Sequence, residues 1–107
     1  MLIAFDVSLE LVRLVRRLLP VLARRDQDLA SQIRRATNSI ALNIAEGDGR
    51  AGKDERRHFG YARGSAKEVH GALQVTLAWG HLSTQKLQRP LDLALEIVRM
   101  LSPLTGR

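Results

Sequence analysis

Cysteine is absent from the chain, which excludes disulfides, thiolate metal sites and cysteine nucleophiles. Aromatic side chains are scarce: Phe5, Phe59, Tyr61 and Trp79 complete the set. Platforms that stack successive bases of a single strand are therefore not expected. No apolar run approaches the roughly 20 residues that span a bilayer. The opening MLIAFDVSLELVRLV carries neither a basic leader nor a small-residue cleavage site. A cytoplasmic protein with no membrane partner is the expectation. No stretch alternates polar and apolar residues with period two, which argues against a sheet. Acidic residues are in deficit, 11 against 17 basic, leaving a net charge of +6 and a pI near 11.0. Such a balance favours polyanions, nucleic acid above all; the bland alternative is a basic surface that merely keeps the protein soluble.

What is present is helical periodicity. At 107 residues the chain is one domain with one modest core. Val7, Leu11, Leu14, Val15 and Leu18 share a face between Asp6 and Leu19, with Arg13, Arg16, Arg17 and Arg24 on the other side. Pro20 is expected to end or kink this helix at about Leu19. A second helix is predicted from about Leu29 to Glu46, capped by Asp26 or Asp28, with Leu29, Ile33, Ala36, Ile40 and Ile44 as its core stripe. Gln32, Ser39, Asn43 and Glu46 form a polar stripe beside that face. They are either a solvated flank or a seam hydrogen-bonded to a neighbouring helix. Gly47 suits a left-handed position just past the helix end.

A third helix is predicted from about Lys53 to Leu82, with Phe59, Ala62, Ala66, Val69, Leu73, Thr76 and Leu77 inward. Gly60, Gly64, Gly71 and Gly80 each cost about 1 kcal/mol in a helix, which suggests close backbone approach or a kink. Tyr61, Ser65, Glu68, Ala72, Val75 and Trp79 lie on another line. They are a candidate subunit contact, with packing inside the bundle as the equal alternative. The fourth helix runs from about Arg89 or Pro90 to Leu101. It is apolar on two sides: Leu91, Ala94, Leu95, Val98 and Leu101 on one, Leu93, Ile97, Met100 and Leu104 on the other. A bundle helix needs only one stripe, so Leu93 and Ile97 join the candidate oligomer interface. Four helices with short turns imply an antiparallel up-down four-helix bundle.

The chain is organised around QIRRATNSIALNIAEGDGRAGKDERRHFGYARGSAKE, residues 32–68. The pairing of RRATNSIALNIAEG with ARGSAKE resembles the bacterial four-helix-bundle proteins first noticed as products of intervening sequences in large-subunit ribosomal RNA genes. The likeness covers most of the chain. It implies a structural seam of Gln32, Ser39, Asn43, Glu46, Gly64 and Ser65. Proteins of similar shape, the accessory variability determinants of diversity-generating retroelements, form basic pentamers that bind nucleic acid and a reverse transcriptase. The resemblance thus implies a homopentameric ring, and an accessory role to a nucleic-acid enzyme.

Several constellations that could carry chemistry fail on inspection. Gly47 to Lys53 reads GDGRAGK, the spacing of a phosphate-binding loop, but a helix precedes it and Asp54 occupies the place of the magnesium-binding hydroxyl. His58, His70 and His81 lack the four-residue spacing of helical metal ligands. Glu46 and Glu68 lack the accompanying Glu-x-x-His motifs of a di-iron bundle. Ser39 and Ser65 have no base nearby in sequence. No enzyme, metal or cofactor is expected. The remaining signal is basic: Arg34, Arg35, Arg50, Lys53, Arg56, Arg57, Arg63 and Lys67 are the predicted phosphate contacts for RNA or DNA. The competing expectation is a protein-interaction scaffold whose basic face meets an acidic protein.

Overall fold

The computed structural model describes residues 3–105. Four helices, α1 (Ile3–Arg25), α2 (Gln27–Asp48), α3 (Gly52–Ala78) and α4 (Thr84–Leu101), are followed by a short 3₁₀ turn at Ser102–Leu104. Each helix packs on its chain neighbours and α4 closes against α1, while the diagonal pairs stay further apart among the described residues. The result is an up-down four-helix bundle 42 × 20 × 19 Å. The α2–α3 pair is the most extensively packed. Every core residue predicted from the second helix's stripe except Leu29 is buried: Ile33, Ala36, Ile40 and Ile44 meet Phe59, Ala62, Ala66, Val69 and Leu73 in the interior. Ala62 and Ala66 allow the two backbones to approach. Buried Ser8, Thr37 and Thr76 return their hydroxyls to backbone carbonyls one turn earlier, so their burial leaves no polar atom unpaired.

Helix boundaries depart from the sequence expectation in physically instructive ways. α1 runs through Pro20 to Arg25. Pro20 is exposed, so its missing N–H falls on the solvent side, while Leu18 and Leu22 are buried and hold the helix on the core. α4 starts at Thr84 instead of at Arg89 or Pro90 because Ser83 caps it, accepting from the Lys86 amide. Pro90 is consequently inside the helix, and buried. α3 stops at Ala78. Gly80, at φ +75°, turns the chain left-handed, with its amide donating to Leu77 O and the His81 amide to Thr76 O. That pair of bonds is a Schellman cap.

Gly47 is not a left-handed cap. It lies buried within α2, where an added Cβ would come within 2.7 Å of the Phe59 ring. Close approach is therefore used at Gly47, and at none of Gly60, Gly64, Gly71 and Gly80, whose missing side chains would meet open space. A second correction concerns α4. Leu93 and Ile97 are buried in the bundle's own core, and Leu91, Val98 and Met100 are partly buried against it. Both apolar sides of α4 are satisfied within one chain, between α1 and α3. Ala72 is likewise interior. Leu93, Ile97 and Ala72 are not surface residues, and the apolar surplus read from α4 shrinks chiefly to Leu104, which is 38% exposed.

Candidate nucleic-acid interface

The polar stripe of α2 meets α3. Ser65 Oγ donates to Ser39 Oγ at 2.8 Å, and the Asn43 amide donates to Ser39 O and Oγ at 2.9 and 3.1 Å. With its amide group so committed, Asn43 presents Oδ1 to His58 Nδ1 at 3.1 Å, an arrangement in which the imidazole N–H donates. Gln32 reaches Glu68 at 3.5 Å. Gln32, Ser39, Asn43 and Ser65 thus lie along one inter-helix groove, joined by His58 and Glu68. Glu46 instead bonds Arg50, and Gly64 is exposed without neighbours at its Cα. Nothing in this seam puts a nucleophile beside a base. Among the described residues there is also no cluster of three potential metal ligands.

The basic cluster predicted at the α2–α3 turn proves internally compensated. Between Glu46 and His58, four acidic residues face four basic ones. Arg50 bridges Glu46 at 3.0 Å and Asp54 at 2.7 Å, and Arg57 pairs with the same Asp54. Donating hydrogen bonds to Glu46 and then to Asp54 holds the Arg50 guanidinium above its ordinary pKa. Arg50 in turn holds the Asp54 carboxyl below its own. Cations already bonded to two carboxylates have little left to offer a phosphate. Lys53 and Arg56 are exposed there, and Lys67 lies further along α3. Arg63 is half-buried and donates from Nε to Ser102 Oγ at 2.9 Å.

Uncompensated charge lies elsewhere. Residues 11–25 hold Arg13, Arg16, Arg17, Arg24 and Arg25 with no acidic residue, and residues 29–45 hold Arg34 and Arg35 with none. These segments are neighbours in the antiparallel α1–α2 pair. Arg25 donates to the His81 carbonyl. The other six are exposed and pair with no carboxylate among the described residues. Two shallow cavities flank α1. That between α1 and α2, about 190 Å³, is lined by Val12, Val15 and Leu19 with Arg16 and Arg34 from opposite helices. That between α1 and α4, about 270 Å³, carries Arg17, Lys86 and Arg89 over Leu14, Leu18 and Pro90; Arg89 is held there by Glu10 at 2.7 Å.

Arg34 and Arg35 were the expected part of this face. Arg13, Arg16, Arg17 and Arg24 were not among the predicted contacts, although the acid-free run from Leu11 to Arg25 is visible in the sequence. A second exposed feature lies on α3. Tyr61, Val75 and Trp79 are 56, 45 and 69% exposed, with glycines 60, 64 and 71 open to solvent on the same helix. Leu42 of α2 is also exposed.

Residues 1–103 match the model of the family described as 23S rRNA-intervening sequence protein. Among solved structures, the chain is similar to a protein of unknown function from the S23 ribosomal protein family of Bacteroides thetaiotaomicron. The TM-score is 0.87 at 21% identity, covering 98% of this chain and 100% of that one. At that identity the likeness speaks for the bundle alone. No curated protein matches.

Proposed function

Because the chain belongs to the family of 23S rRNA-intervening sequence proteins, we propose that it is a non-enzymatic, homo-oligomeric bundle that binds RNA through its phosphate backbone, using the α1–α2 face. The observation that carries this reading is the set of six exposed arginines on α1 and α2 with no carboxylate partner among the described residues. Guanidinium groups free of internal ion pairs exchange water, not a carboxylate, for phosphate. The family's association with ribosomal RNA favours RNA over DNA. An accessory role beside a nucleic-acid enzyme is consistent with a protein that supplies charge and no chemistry.

Self-association would use the outer face of α3, where Tyr61, Val75 and Trp79 stand in solvent beside open glycines. A closed ring of five is the arrangement the resemblance implies. A ring would multiply the field of each subunit. The test is binding of a structured RNA at two salt concentrations by wild type, by Arg16→Gln/Arg34→Gln/Arg35→Gln, and by Arg50→Gln/Arg57→Gln. The first variant should lose most of its affinity, and its slope of log K against log salt should flatten by about one for each phosphate contact removed. The second should bind nearly as wild type does. Absence of binding by wild type at low salt refutes the proposal.

A further inference from the structure

The cavity between α1 and α2 has a composition that backbone contacts alone do not require. Its lining is chiefly apolar, from Val12, Val15 and Leu19, and it is bracketed by Arg16 on one helix and Arg34 on the other. Two polar groups remain. The Thr37 hydroxyl is committed to Ile33 O at 2.7 Å, which leaves the exposed Asn38 amide as the one uncommitted donor and acceptor at the site.

We propose that this groove receives a single unpaired base of a structured RNA. Extruding a paired base costs about a few kcal/mol, and a continuous duplex presents phosphates and 2′-hydroxyls to this face but no free base. A base extruded at a bulge has a flat apolar surface, a polar edge and a phosphate on either side. Val12, Val15 and Leu19 match the surface, Asn38 matches the edge, and Arg16 and Arg34 match the two phosphates. The size decides against larger organic anions. At about 190 Å³ the groove lies below the roughly 300–1,000 Å³ of sites for larger organic ligands. With no carboxylate in its lining, nothing in the groove opposes an anion. The inference rests on the reading of this face as an RNA interface and specifies which RNA it selects.

The experiment compares a blunt, fully paired RNA duplex with the same duplex carrying one unpaired nucleotide, titrated by fluorescence anisotropy at one low salt concentration. Wild type should bind the bulged duplex about five- to tenfold more tightly, the size of one base-edge or stacking contact. Val12→Phe, which fills the groove, and Asn38→Ala, a solvent-side change that leaves the core untouched, should each abolish that preference. Neither should alter affinity for the paired duplex. Equal affinity of wild type for the two RNAs overturns the inference while leaving backbone binding in place. A preference that survives both variants overturns it as well. Binding to neither RNA overturns it together with the proposal on which it rests.

Discussion

Gly47 shows how one residue type can satisfy a sequence rule for a different reason. A glycine near the end of a helical run ordinarily signals a left-handed cap, yet here it is an interior residue whose missing side chain admits the Phe59 ring. Gly47→Ala gains helix propensity of up to about 1 kcal/mol but drives a methyl into a buried ring that has nowhere to move. Overpacking costs about 1–3 kcal/mol, so the variant should melt several degrees below wild type in a circular-dichroism melt. Asp26 offers a pH test. Its carboxylate accepts from the Leu29 amide at 3.0 Å and faces His81 Nε2 at 3.2 Å. The bond from the Leu29 amide is the main reason its pKa falls below the ordinary 3.8, with His81 adding to it. A depressed carboxylate contributes stability that is complete above the unfolded value and lost as pH falls through the folded one. Asp26→Asn should therefore melt below wild type at neutral pH, and the gap should begin to narrow as pH falls past about 3.8 and close once pH is below the lowered folded value. A gap that persisted in acid would assign the effect to shape and not to charge.

At the scale of the element, α3 is the helix whose two sides answer to different demands. Inward, Phe59, Ala62, Ala66, Val69 and Leu73 fix it against α2. Outward, Gly60, Gly64 and Gly71 weaken it without serving any contact inside the chain. Residues that cost helix stability and touch nothing are explained if a second subunit's backbone comes close there, between Tyr61 and Trp79. Gly64→Ala and Gly71→Ala should then each raise the stability of the isolated chain by up to about 1 kcal/mol and weaken its self-association. Chemical denaturation and sedimentation velocity on the same samples separate the two effects. Stabilisation with unchanged assembly would remove α3's outer face from the interface. α4 makes the contrasting case. Its apolar breadth is consumed by α1 and α3 within the bundle, because a helix in a square bundle touches two neighbours and needs an apolar arc wide enough for both.

At the scale of the whole molecule, the net charge of +6 is less informative than its distribution. The α2–α3 turn is neutral because opposite charges three and four residues apart pair on or near a helix. The α1–α2 face keeps its charge because its six exposed arginines form no ion pair among the described residues. Counterion release on that face makes the salt dependence the diagnostic measurement, since each added contact steepens it. Closure of several subunits into a ring would place several such faces on one particle, so avidity should track the oligomeric state.

Much of this was legible in the sequence. The four helices and most of their core stripes follow from period alone, since a bundle's interior is set by which residues recur every three or four positions; period left the polar stripe open between flank and seam, and the resemblance pointed to the seam. Ser39, Asn43 and Ser65 stand together because their spacing puts them on facing flanks of α2 and α3. What the chain could not declare was which of its charges cancel and which apolar faces meet. Arg50 and Arg57 look as basic in sequence as Arg16 and Arg34. Ion pairing is a matter of distances between side chains, and burial a matter of what lies across the interface, and both exist only once the four helices are side by side.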